Sequence, residues 1–223
     1  MPPASAEQRL IPAVVGNPRT IEAPKVPKTE TVTSIIVDFH KTEENRSLTV
    51  ADFQRGDGAV LNDTPINLIT TSRAKGHELK AIGANGVELS SSNASGPFMT
   101  NKGTWKTTPI LKSYIFTEKT LSASDHPTLE ISGLDNIPTA ATITLTIWGV
   151  GDTPDSDAAF QLVYNGAPIA KKTTDYDAAE VNTRVQFTFN KIDGADDLKI
   201  NWGKAGSSIA GLSGFSLVAR VTQ

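Results

Sequence analysis

The segment TITLTIW, residues 142–148, alternates strictly: Ile143, Leu145 and Ile147 fall on one side of an extended chain, and Thr142, Thr144, Thr146 and Trp148 on the other. A period of two is wrong for a helix, so the stretch predicts a strand with one face in a core. The same period returns at Val185, Phe187 and Phe189, at Leu198, Ile200 and Trp202, and at Phe215, Leu217, Ala219 and Val221. LKSYIFTE and LEISGL predict two more strands. Turn chemistry falls between them: Asn165-Gly166 in YNGAP suits the positive φ of a tight hairpin, and Asp193-Gly194 marks another turn. From Thr31 onward, strands and turns succeed one another about every ten residues with almost no helix signal. The fold class this predicts is all-β, an antiparallel β-sandwich of jelly-roll type, over residues 34–223 as one domain.

Residues 1–33 read differently. Pro2, Pro3, Pro12, Pro18, Pro24 and Pro27 are six of the chain's 13 prolines, spaced so that neither a helix nor a central strand runs through them. The segment is expected to be an extended arm, serving either as a semi-rigid spacer or as a strap along a neighbouring subunit. Leu10, Ile11, Val14, Val15, Ile21 and Val26 would anchor such a strap.

Cysteine is absent, which removes disulfides, thiolate metal sites and a cysteine nucleophile together. With 21 basic against 24 acidic residues and a net charge of −3, no global field draws the chain to nucleic acid or an anionic membrane. The apolar runs, such as SIIVDF, fall far short of the roughly 18 residues a membrane helix needs. MPPASAEQRLIPAVVG has no basic region followed by an apolar block, so no signal peptide is read there.

The segment most suggestive of chemistry follows the 142–148 strand: Gly-Val-Gly and then Asp152, Asp155 and Asp157. Calcium takes six to eight oxygens, and a helix-flanked calcium loop would need acids at alternate positions, a central glycine and a closing glutamate, none of which fits here. A glycosidase pair needs carboxyls about 5 to 10 Å apart across a cleft, one of them desolvated. Neighbouring acids on one turn share solvent. A solvated turn is therefore the expectation, with Asp152, Asp155 and Asp157 as weak calcium candidates and no other cofactor or metal. His40, His77 and His126 are too scattered for a histidine motif and are read as solvated or capping. GLSGF breaks the nucleophile-elbow spacing and predicts a bend before the last strand. The sequons at Asn45 and Asn93 carry no weight without a secretory signal. No catalytic residue is assigned, and the expectation is a protein without enzymatic activity.

Aromatic side chains remain. β-Sandwiches that bind sugars stack exposed aromatic faces on apolar sugar faces, with amides and carboxylates on the hydroxyls. Trp105 in NKGTWKTT and Tyr176 in TTDYDAA sit in polar, loop-like segments and are the ligand-binding candidates. Trp148 and Trp202 end strands and are expected in core or rim packing. Tyr164, just before Asn165-Gly166, is expected as a cross-strand partner.

The order IIVDF, GVELSSSNASGPF, SYIFTE, LEISGLDN, TITLTIWG, FQLVYNG, VQFTFNKIDGADDLKINW and IAGLSGFSLVA, over residues 34–219, resembles the jelly-roll domains of the galactose-binding-like superfamily. It is similar to modules appended to secreted bacterial glycan-processing proteins. The resemblance implies the fold, a carbohydrate ligand, and in some members a structural calcium, with no ligand residue carried over by position.

Two functions are compatible with these features. One is a structural or decorating subunit of an extracellular assembly, such as a phage virion surface protein, whose residues 1–33 contact a protein neighbour in an oligomer. The other is a carbohydrate-binding module associated with a secreted glycan-degrading protein. Either places the chain outside the cell or on a virion, without membrane insertion or nucleic acid.

Overall fold

The computed structural model describes residues 29–40, 66–70, 81–82, 88–92, 95–99, 111, 113–149, 155–175, 183–206 and 208–222. Its strands are β1 (Thr29–His40), β2 (Ile66–Thr70), β3 (Ala81–Ile82), β4 (Glu88–Ser92), β5 (Ser95–Met99), β6 (Ser113–Thr117) and β7 (Thr128–Ser132). They continue as β8 (Thr142–Trp148), β9 (Ala158–Tyr164), β10 (Ala167–Thr173), β11 (Arg184–Asn190), β12 (Leu198–Lys204), β13 (Ala210–Leu212) and β14 (Gly214–Thr222). Among the described residues the only helical turn longer than an isolated residue is a short 3-10 turn at Leu134–Asn136.

Two sheets make the sandwich. Sheet A has five strands in the order β11-β8-β14-β1-β2, and sheet B has six in the order β10-β9-β12-β7-β4-β3. A third, three-stranded sheet has the order β13-β6-β5. Among the described residues, pairing is antiparallel except between β1 and β2, which run parallel with Ile36 opposite Ile66 and His40 opposite Thr70. The all-β antiparallel sandwich read from the sequence is thus observed, with this one parallel neighbour as the exception. β1 also starts earlier than the proline spacing suggested: residues 29–33, expected in the arm, belong to it. The last arm proline is Pro27, and the β-branched Thr31-Val32-Thr33 run that follows suits a strand. Residues 1–28 lie outside the described residues.

The core lies between sheets A and B. From sheet A it takes Ile35, Val37 and Phe39 of β1, Ile143, Leu145 and Ile147 of β8, and Phe215, Leu217 and Ala219 of β14. From sheet B come Leu129 and Ile131 of β7, Phe160 and Leu162 of β9, and Leu198, Ile200 and Trp202 of β12. Fully burying a side chain of this size contributes about 1.5–3 kcal/mol, so the alternation of a seven-residue strand suffices to orient it. Trp148 and Trp202 are both buried, as expected of strand-end tryptophans.

Tyr164 is a cross-strand partner as expected, opposite Ala167 of β10 and Leu198 of β12. It is buried in the core, its ring 5.0 Å from that of Phe189 on the opposite sheet, and its hydroxyl accepts a bond from the Ile192 backbone N–H at 3.1 Å. The hairpin after it is as read: Asn165 and Gly166 both take positive φ, 50° and 74°. The bend in GLSGF is likewise present. Ser213 separates β13 from β14, donating its N–H to the Trp148 carbonyl at 2.8 Å and accepting from the Phe39 N–H at 2.9 Å.

Candidate functional site

Several strands finish or begin at one end of the sandwich. Ala158 of β9 stands opposite Lys204 of β12, Thr173 of β10 stands opposite Ala159, and Trp148 of β8 stands opposite Arg184 of β11. The connections at residues 118–127, 149–158, 174–183 and 205–209 all emerge there.

Two of these connections are tied together at both feet. At one foot the Thr174 N–H donates to the Ala158 carbonyl at 2.9 Å, while the Thr174 hydroxyl accepts from the Ala158 N–H at 3.1 Å and lies 3.3 Å from its carbonyl. At the other foot the Gly149 N–H donates to the Thr183 carbonyl at 2.9 Å. Buried polar groups must be bonded, and Thr174 and Thr183 are both buried, so these contacts fix where each connection starts and stops. Gly149 admits no side chain, because a Cβ there would run into the Gly211 carbonyl.

The acidic segment is docked through its backbone. The Asp157 carbonyl accepts from the Ala205 N–H at 2.9 Å and the Asp155 carbonyl from the Ser208 N–H at 3.2 Å. Asp155 takes φ 63°, a left-handed conformation that aspartate tolerates better than most residues. Gly206 lies directly against it, and a Cβ at that position would strike the Asp155 carbonyl. The Asp155 side chain is exposed and that of Asp157 half-buried. Among the described residues no group of three His, Cys, Asp or Glu side chains could hold a metal ion; Asp152 lies outside them.

Beside this, the 118–127 connection lies on the end of β12. The Lys204 N–H donates to the Lys119 carbonyl at 2.7 Å and the Trp202 N–H to the Pro127 carbonyl at 3.1 Å. Gly203 makes the approach possible, since a Cβ there would meet the backbone of Lys119 and Thr120. Lys119 and Asp125 form an exposed ion pair of 2.7 Å, and the bond from Lys119 holds the Asp125 carboxyl below its ordinary 3.8. His126 turns Nδ1 to the Ala123 carbonyl at 2.7 Å, a local capping contact of the kind expected for it.

The ligand candidates Trp105 and Tyr176 both lie outside the described residues, as does His77. Their flanking elements place them differently. Tyr176 belongs to the connection tied down at Thr174 and Thr183, whereas Trp105 precedes β6, whose far end leads into the 118–127 connection. The residues that build this end, Gly149, Thr174, Thr183, Gly203 and Gly206, carried no distinguishing sequence signal. Their importance comes from partners far along the chain.

The class defined by these elements is an antiparallel β-sandwich of jelly-roll type. No protein-family model matches the chain, and no curated protein matches it in sequence. Among solved structures it is similar to a family 35 carbohydrate binding module from Clostridium thermocellum, at 10% identity over 58% of this chain and 90% of that one, TM-score 0.36. It is also similar to the CBM36-1 domain of a multidomain xylanase from the hindgut metagenome of Trinervitermes trinervoides, at 11% identity over 56% and 87% of the two chains, TM-score 0.31. A third similar structure is the enzymatically active domain of tailspike protein 4 of Bacteriophage CBA120, at 10% identity over 63% and 20% of the two chains, TM-score 0.28.

Proposed function

We propose that this chain is a non-catalytic carbohydrate-binding module of an extracellular protein, and that it takes glycan at the end of the sandwich where the 149–158 and 174–183 connections meet. The observation that carries this reading is the double tie, Thr174 to Ala158 and Gly149 to Thr183. It brings together the feet of two connections whose sequences contain Asp152, Asp155, Asp157 and Tyr176. Carboxylates for sugar hydroxyls and an aromatic face for the apolar side of the ring are the chemistry such a site requires. Loop ends of rigid sandwiches are where binding residues commonly sit, because the scaffold fixes their spacing. Trp105, which precedes the other end of β6, is proposed as a second and separate platform. The strand motifs from IIVDF to IAGLSGFSLVA support the same reading.

The test is binding of the intact chain to a panel of neutral and acidic polysaccharides, by affinity electrophoresis and calorimetry. Tyr176→Ala and Trp105→Ala should each weaken binding by roughly 5- to 150-fold, the loss of an aromatic contact of roughly 1–3 kcal/mol, with the thermal transition unchanged. A wild-type chain that binds none of the panel overturns the proposal.

A second reading is favoured by one observation. Thr29 pairs with Thr222 at the end of sheet A opposite the tied connections, so β1 begins away from the proposed glycan site. On this reading residues 1–28 contact a protein neighbour, as in a structural subunit of a virion surface or another extracellular assembly. Deleting residues 1–28 should then abolish self-association in sedimentation while circular dichroism keeps the β signature. A folded deletion variant that associates like the full chain removes this reading.

A further inference from the structure

The two sheets end side by side on one flank, with β10 at the edge of sheet B and β11 at the edge of sheet A. An edge strand offers unpaired N–H and C=O groups to any other strand, and proteins blunt such edges with proline, lysine or a bulge. β10 has all three: Pro168, an exposed Lys171, and a register shift against β9 between Pro168 and Ala170. β11 has none of the three. Its register on β8 is unbroken from Arg184 opposite Trp148 to Asn190 opposite Thr142, and its sequence, RVQFTFN, contains neither proline nor lysine.

The bonds at the two ends of β11 show which of its backbone groups face outward. The Thr183 carbonyl accepts the Gly149 N–H, and the Lys191 N–H donates to the Ala141 carbonyl, both at 2.9 Å. Bonded pairs alternate along an antiparallel ladder, so Val185, Phe187 and Phe189 bond β8, while Arg184, Gln186, Thr188 and Asn190 turn N–H and C=O to the free edge. Thr188 and Asn190 are exposed there, and Arg184 and Gln186 are half-buried.

One outward group is occupied, and by a residue of the other sheet. Lys172 of β10 donates to the Gln186 carbonyl at 2.5 Å, and the same ammonium lies 5.5 Å from the centre of the Phe187 ring. We infer that Lys172 is the guard of the β11 edge, and that the surface it closes fits a second copy of β11. The occupant follows from the strand itself. About a twofold axis through Phe187, two antiparallel copies set Gln186 opposite Thr188 and Arg184 opposite Asn190, all residues whose N–H and C=O face outward. The inward side chains then match as Phe187 with Phe187 and Val185 with Phe189, aromatic and β-branched pairs of the kind that stabilise sheets, and no like charges are opposed. An ammonium on the Gln186 carbonyl takes an acceptor from the middle of that register in each copy and brings two cations to the joint.

Lys172→Met keeps an unbranched stem over Phe187 and removes the charge and the donors. In the full-length protein it should produce a reversible dimer in sedimentation equilibrium that is absent from the wild type at the same concentration. As the variant associates, the amides of Thr188 and Asn190 should exchange at least about tenfold more slowly. Lys172→Arg retains a cation and its donors and should behave like the wild type. Thr188→Lys, added to Lys172→Met, puts a guard back on the edge at an exposed position and should abolish the dimer. A Lys172→Met chain that sediments and exchanges like the wild type overturns the inference, as does association that survives Thr188→Lys or appears equally in Lys172→Arg. Lys172→Leu repeats the measurement if Lys172→Met does not fold.

Discussion

Thr174 and Ala158 hold each other through backbone and side chain at once: the Thr174 N–H reaches the Ala158 carbonyl at 2.9 Å, and the Thr174 hydroxyl accepts the Ala158 N–H at 3.1 Å. The pair joins the exit of β10 to the entry of β9 where the proposed site begins. Valine at 174 keeps the volume and removes the hydroxyl, leaving a buried N–H without its acceptor. Thr174→Val should cost about 1–3 kcal/mol in urea unfolding. Amide exchange should speed up in the 149–158 and 174–183 connections before it does in β12.

Gly206 and Asp155 are in backbone contact, with no room for a methyl group between them. Gly206→Ala must displace the acidic segment, and overpacking of this kind typically costs 1–3 kcal/mol. Gly166→Ala is the comparison: nothing surrounds that position, but its φ of +74° strains any side chain, so the loss should be nearer ~1 kcal/mol. Crystallography of Gly206→Ala should find the acidic segment shifted, and Gly166→Ala should leave it in place.

For the acids themselves, replacing Asp152, Asp155 and Asp157 together by Asn should change stability by no more than about 0.5 kcal/mol, the usual range for surface positions. Asparagine tolerates the left-handed backbone that Asp155 adopts. A calcium-dependent rise in the melting temperature of the wild type, lost in the triple variant, would instead assign the segment a cation.

Alkaline pH should unfold the protein partly through Tyr164. Burial raises its phenol above the ordinary 10.0, so the folded state favours the neutral form. The corresponding stability is present below pH 10.0 and is lost as pH rises through the folded value, because the unfolded chain releases its proton first. Lys199 acts in the same direction: its bond to Glu130 at 2.9 Å raises it above 10.5, although so exposed a pair contributes little. Tyr164→Phe should therefore flatten the decline of melting temperature above about pH 10, while lowering stability at pH 7 because the Ile192 N–H loses its acceptor.

Much of this architecture was legible from local pattern. β8 occupies the seven residues its alternation predicted, and Asn165-Gly166 makes the hairpin its φ preferences suggested. A period of two and a turn dipeptide are properties of neighbouring residues, and a core rewards them wherever they occur. The same alternation misled at Thr146, which is buried on the far face of β8 although a threonine-rich side reads as solvent. Whether that side meets water depends on what lies across it.

The amino-acid sequence by itself determined that the chain would form strands rather than helices, where most of them run and which side of each enters the sandwich. All of these follow from steric and hydrophobic preferences within a few residues. Only the tertiary structure decided that β1 and β2 lie parallel, that Tyr164 packs on Phe189, and that Gly149 and Thr174 tie two connections to Thr183 and Ala158. Those relations join residues distant in the chain, and a hydrogen bond or ring contact between them acquires its energy only after the sheets have brought the partners within reach.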